Sequence, residues 1–162
     1  MTEPARAYMR DVTTDERRDF QWNPEELELQ LGAEWTAVSP RGSSHPRQSY
    51  KHSKGQGFTL TLRFLREAVD AKDMELQIRS YKALVFADYD ASGRLAKAPH
   101  TQLVVFGAWH TFRCVITDMK IAMKDIWWDP ITLRPGGFDA TVTFAEVPAE
   151  GDQGRADVLA GA

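Results

Sequence analysis

The side chains that could do chemistry are few and scattered along the chain. The four histidines, His45, His52, His100 and His110, lie in predicted loops or at strand starts, and no two share a metal-ligand spacing. We therefore expect solvated loop histidines. Neither a glycine-rich phosphate loop before a helix nor a nucleophile elbow occurs in the sequence. The sequence predicts no catalytic residue, no metal ligand and no cofactor.

Two further features resemble parts of sites. Cys114 is the single cysteine, so one chain can form neither an internal disulfide nor a cysteine-based zinc site. It lies in a strand-like run, where we expect a small buried hydrophobe. Residues 88–93 copy the first half of a calcium loop, but the twelfth position, which needs a bidentate glutamate, is Pro99. A turn that ends a helix explains this segment better than a calcium site.

The hydrophobic pattern that must position these residues is mostly that of β-strands. Alternation over residues 27–38, 58–64 and 138–144 indicates half-buried strands. Apolar residues three and four apart predict one amphipathic helix over residues 72–89. The alternation after Phe112 changes phase at Thr117-Asp118, which predicts a β-bulge. We expect an antiparallel fold of two packed sheets, either a sandwich or a partly closed barrel, with a flanking helix.

Composition indicates one β domain between two polar ends. We place the domain at residues 19–147, a flexible N-terminal extension at 1–18 and a flexible C-terminal tail at 148–162. The formal net charge of -3 argues against general nucleic-acid binding. Neither a membrane-spanning apolar run nor a signal-peptide core is present in the sequence, so we expect a soluble protein from a reducing compartment.

A long polar segment, residues 39–57, separates the first two long predicted strands. It exceeds the usual length of a hairpin loop, and it contains four basic residues and no acidic one. Two interpretations remain open: an arm that becomes ordered on a neighbouring molecule, or a mobile surface loop. As an arm, its candidate contact residues are Arg41, Arg47, Tyr50, Lys51, His52 and Lys54.

Two pairs of aromatic residues add to the candidate interface. Phe20 and Trp22 adjoin the polar N-terminal region, and Trp127 and Trp128 are adjacent, so on a strand they would point to opposite faces. Packing beneath loops and contact with another subunit both explain them. Together with the basic segment they make self-assembly the leading hypothesis. The alternative is a β-barrel whose tryptophan-lined mouth binds an apolar small molecule, and an enzyme is the least supported class.

The order of elements resembles a known family. Its marks are FQWNP at 20–24, FTLTL at 58–62, LVVFG at 103–107, FRCVI at 112–116 and ATVTFAEV at 140–147. A polar segment separates the first two marks, and a helix separates the second from the third. In this order the chain resembles the tube-like proteins of contractile injection systems and phage tail baseplates.

The resemblance implies a tail-tube-like fold with a long β-hairpin arm and a structural role without catalysis. It implies a ring, sixfold by analogy with tail tubes, that acts as a tube initiator or hub adaptor. Implied partners are other copies of the chain, the tail tube protein, the central hub or spike and baseplate wedge proteins. DNA would only pass through the lumen, and no membrane is involved. The particle would be a virion or a bacterial injection system assembled in the host cytoplasm. Many relatives carry a LysM-type domain after the tube-like part, and we expect no role of such a domain here.

Overall fold

The structure, a computed structural model, describes residues 5–42, 44–65, 71–123 and 129–147. These residues form one helix and nine strands. In chain order they are β1 Tyr8–Asp11, β2 Arg17–Asp19, β3 Glu28–Val38, β4 Arg47–Leu65, α1 Ala71–Ala83, β5 Asp88–Tyr89, β6 Leu95–Lys97, β7 Gln102–Phe106, β8 His110–Ala122 and β9 Gly137–Glu146. Across these described stretches, no helix has the length and apolar character needed to cross a membrane.

Seven strands form one antiparallel sheet in the order β2-β1-β7-β8-β9-β4-β3. The second sheet is the small hairpin β5-β6. The prediction of an antiparallel, mostly β fold with one helix is confirmed. The large sheet is not closed into a barrel, because β2 and β3 lie at its two ends and do not pair with each other.

The core lies on one face of this sheet. The pairing of β4 with β9 places the apolar residues of both strands on that face. Phe58 lies opposite Phe144 and Phe64 lies opposite Phe138. Their rings stack with centroids 4.8 and 4.7 Å apart. Between them the two strands place apolar residues on this face and threonines, with the pair Arg63 and Asp139, on the other, so the predicted half-buried strands are confirmed here.

The helix α1 covers this core face. Its residues Met74, Ile78 and Tyr81 are buried, and the Tyr81 ring lies 5.2 Å from that of Phe64. The helix ends at Ala83, whereas the prediction extended it to residue 89. The prediction was wrong at this end because β5 pairs with β6 instead.

Two other expectations concern local structure. The pairing of β8 with β9 shifts between Ile116 and Asp118, so the predicted bulge is confirmed. The calcium-like segment forms the β5–β6 turn, in which Asp90 Oδ1 accepts hydrogen bonds from the backbone N–H groups of Ser92 and Arg94, both at 2.9 Å. The segment is therefore a hairpin turn rather than the end of the helix.

The N-terminal region differs from the expected flexible extension. β1 pairs with β7 and β2 pairs with β1, so both belong to the large sheet. Met9 lies opposite Val104 and is buried in the core. The predicted C-terminal tail, residues 148–162, lies outside the described residues.

Candidate assembly interface

A two-stranded arm extends beyond the large sheet. β4 pairs with β9 only from Gly57 to Leu65, whereas its earlier part, from Arg47 to Lys54, pairs with β3 alone. We call residues 32–54 the arm. The expected long connection at 39–57 is therefore corrected, because its residues from Arg47 onward form a strand. Residues 39–46 remain as the connection between the two strands.

The base of the arm is fixed to the sheet. The backbone N–H of Gln56 donates a hydrogen bond to Glu146 Oε2 at 3.0 Å. Pairing with β3 is irregular at this point, between Gln30 and Gly32, where the ribbon leaves the sheet. A bulge of this kind increases local twist and re-aims a strand. The arm thus has a defined root in the domain.

The arm exposes aromatic surface. Trp35 lies opposite Tyr50, and their rings meet edge to face at 5.2 Å. Even so, Trp35 is 54% exposed and Tyr50 is 51% exposed. Val38 in the arm and Leu31 just before it are also exposed. The prediction that β3 is a half-buried strand was wrong, because none of its residues is buried and all are exposed except Glu34 and Thr36, which are intermediate. Grouped exposed apolar residues are typical of interaction sites.

The charges of the arm are partly balanced across the hairpin. Lys51 Nζ lies 2.9 Å from Glu34 Oε1, and His52 Nε2 lies 3.7 Å from Glu34 Oε2. The hydrogen bond from Lys51, followed by the charge of His52, lowers the pKa of Glu34. The segment thus has an acidic partner that its own sequence lacks. Four basic residues against one glutamate still leave the arm positive.

The predicted aromatic contacts have different environments. Phe20 is 1% exposed and belongs to the core, so its side chain is not available at the surface. Trp22 is 44% exposed and lines a groove. Trp127 and Trp128 lie outside the described residues. The sequence reasoning missed Trp35, since its alternation with polar neighbours is the same as in a half-buried strand.

A groove of about 850 Å³ lies at the root of the arm, on the sheet face away from the core. We call it the glutamate groove. It is lined by Trp22, Asn23, Glu25, Glu26, Glu28, Thr59, Thr61, Arg63 and Leu65. Gln21 binds the backbone of Leu65, one of the lining residues: its Nε2 donates to Leu65 O at 3.0 Å, and its Oε1 accepts from Leu65 N–H at 2.8 Å. Arg63 Nε donates to Asp139 Oδ1 at 3.0 Å, so its charge is already paired.

Asp11 joins the β1–β2 turn to the chain that enters β7. Its carboxylate accepts hydrogen bonds from the backbone N–H groups of Thr13 and Thr14 and from Gln102 Nε2, at 2.7, 2.9 and 3.1 Å. His100 Nδ1 lies 2.8 Å away. Burial acts to raise the pKa of Asp11, but these hydrogen bonds together lower it to about 2. The prediction of a solvated loop histidine is wrong for His100, which is half-buried in this network.

The remaining groups that could react are the thiol of Cys114 and side chains that could bind a metal. Cys114 is buried, as predicted. Burial, with a smaller effect of Glu146, raises the pKa of its thiol to about 12. In the part of the chain that the structure describes, no group of three histidine, cysteine or acidic side chains could hold a metal ion.

The described residues thus form an open sheet with a protruding, aromatic and positively charged arm. A family model described as contractile injection system tube protein matches residues 6–146, most of the chain. The chain belongs to this family, and the resemblance inferred from the order of its elements is confirmed. It is therefore a structural component of a contractile injection system. No curated protein matches the chain.

Proposed function

We propose that this protein forms a ring that connects the tail tube of a contractile injection system to the central hub or spike of its baseplate. The ring consists of copies of this chain, six by analogy with tail tubes. Its neighbours are the tail tube protein on one side and the hub or spike on the other, with wedge proteins at its periphery. It acts as a tube initiator or hub adaptor, without catalysis, within a virion or a bacterial injection particle assembled in the host cytoplasm.

The observation that carries this proposal is the arm. A two-stranded hairpin is marginally stable in water, and this one keeps Trp35 and Tyr50 half exposed. The arm becomes more stable when it lies on another subunit, because that contact removes its apolar area from water and adds cross-strand partners. The edge strand β3 strengthens the argument, since it has one neighbour in the large sheet.

The alternative of a small-molecule-binding barrel loses its basis. That alternative required a barrel mouth, and the large sheet is open.

The test replaces the arm by a tight turn. Because Gly32 lies opposite Lys54, residues 33–53 can be exchanged for Asn-Gly, which favours a two-residue hairpin turn. We expect a folded monomer by circular dichroism and no rings by electron microscopy and sedimentation velocity. The matched controls are Trp35→Ser and Phe86→Ser, since both residues are exposed but only Trp35 lies in the arm. Trp35→Ser should weaken assembly and Phe86→Ser should not.

Two outcomes contradict the proposal. Rings that persist without the arm would remove its main support. Unlimited stacking of the wild-type chain into long tubes, rather than single rings that grow only when tube protein is added, would identify a tube subunit instead of an adaptor.

A further inference from the structure

We propose that the glutamate groove of each copy receives the tip of the arm of the next copy. This inference rests on the proposed function, since it takes self-assembly as given and names the receiving surface. Its two halves lie on one chain: a positive, aromatic tip and a negative groove with an exposed tryptophan.

Charge complementarity identifies the occupant. The groove presents the exposed carboxylates of Glu25, Glu26 and Glu28. The cation in its lining, Arg63, is bound to Asp139. Arg41 lies in the connection at the tip of the arm, Arg47 follows it at the start of β4, and both are exposed. Opposite potentials of this kind direct association and fix the register of an interface.

Apolar contacts are matched as well. Trp22 is exposed on the wall of the groove, and Leu65 lies at one of its ends. The arm brings the pair formed by Trp35 and Tyr50. Burial of such aromatic side chains supplies much of the affinity at protein interfaces.

The arm cannot fill its own groove. Glu28, which lines the groove, begins β3, and Val38 ends β3 at the tip. Ten residues of extended strand separate the two by roughly 30 Å, at about 3.3 Å per residue. The β3–β4 pairing runs continuously outward over this distance apart from its two bulges. The occupant is therefore a second copy, and the contact is head-to-tail, a type that forms a ring when the rotation between copies closes.

A charge-swap experiment tests the pairing. One variant, R41E/R47E, makes the arm tip negative, and the other, E25K/E26K, makes the groove positive. All four residues are exposed, so both variants should fold as the wild type does, by circular dichroism. Alone, each variant brings like charges together, and we expect at least about a tenfold higher concentration for half-assembly.

The mixture is the decisive sample. When the two variants alternate, each negative arm meets a positive groove and each positive arm meets a negative groove. We expect an equimolar mixture to form rings near the wild-type concentration. A control pair on the β5–β6 hairpin, D88K and K97E, should assemble alone and together as the wild type does.

The outcomes separate the two proposals. If the wild type forms rings and loss of the arm abolishes them, but the charge-reversed variants assemble normally or their mixture stays monomeric, the groove inference is wrong and the proposed function stands. If the wild type forms no ring under any condition with its partners, the proposed function itself fails.

Discussion

Replacement of Asp11 by asparagine should destabilise the domain by an amount that depends on pH. The carboxylate of Asp11 accepts three hydrogen bonds and faces His100 while almost fully buried. These contacts hold the β1–β2 turn against the chain that enters β7. In Asp11→Asn, an amide NH₂ group replaces one carboxylate oxygen, and it cannot accept the hydrogen bonds that this oxygen receives.

The magnitude follows from the pKa of the carboxyl group. A pKa lowered from 3.8 to about 2 corresponds to about 2 kcal/mol of stabilisation of the folded state by the charged carboxylate. Because the pKa of the folded state is the lower one, this stabilisation is fully present above about pH 4 and is lost as the pH falls toward 2.

Urea unfolding of the wild type and of Asp11→Asn at pH 7 and pH 3 measures this directly. We expect the variant to be less stable by about 2 kcal/mol at pH 7 and by roughly half of that at pH 3. Subtracting the unfolding free energy of the variant from that of the wild type at each pH cancels the titration of the other carboxyl groups. The exposed Glu26, changed to glutamine, is a control that should alter stability little at either pH. A difference at pH 7 below about 0.5 kcal/mol, or one that stays constant to pH 3, would refute the reasoning.

Two further predictions concern the core. Phe58→Ala removes a ring that contacts Phe144 and Phe112, with centroids 4.8 and 4.6 Å away, and should cost about 3–5 kcal/mol in urea unfolding, while Phe86→Ala should cost far less. Cys114 should not react with a thiol reagent at pH 8 in the folded protein, since burial raises the pKa of its thiol to about 12. One equivalent should react in urea, and rapid labelling of the folded protein would contradict the burial.

The core could be predicted from sequence because the apolar residues of each alternating strand pack against apolar residues of the neighbouring strand. The strands β4 and β9 were predicted correctly because their apolar residues lie opposite one another in the sheet. The bulge at Thr117 is visible in the sequence as a shift of one residue in the alternation of apolar and polar residues. The end of α1 could not be predicted, because tertiary pairing of Asp88 with Lys97 overrides a helical pattern. β1 and β2 are too short for alternation to be visible, and their strand structure depends on β7.

The site was only partly predictable for a related reason. The positive charge of the arm and Trp22 are visible in the sequence. The acidic partner Glu34 is not, since it lies on the other strand of the hairpin. The groove was missed entirely, because Glu25 and Arg63 come together only through the antiparallel pairing of β3 with β4.

The arm and the core share one sequence pattern but have opposite surroundings. In β4 near Phe58, alternation buries the apolar side chains under α1 and neighbouring strands. In the arm, the same alternation leaves Trp35 and Tyr50 with little beside each other. A free-standing ribbon gains little from such residues within a monomer, and it carries the risk of unwanted pairing that edge strands bring. The proposed contact between chains accounts for aromatic residues in that position, and in the proposed pairing the nearby cations select the glutamate groove.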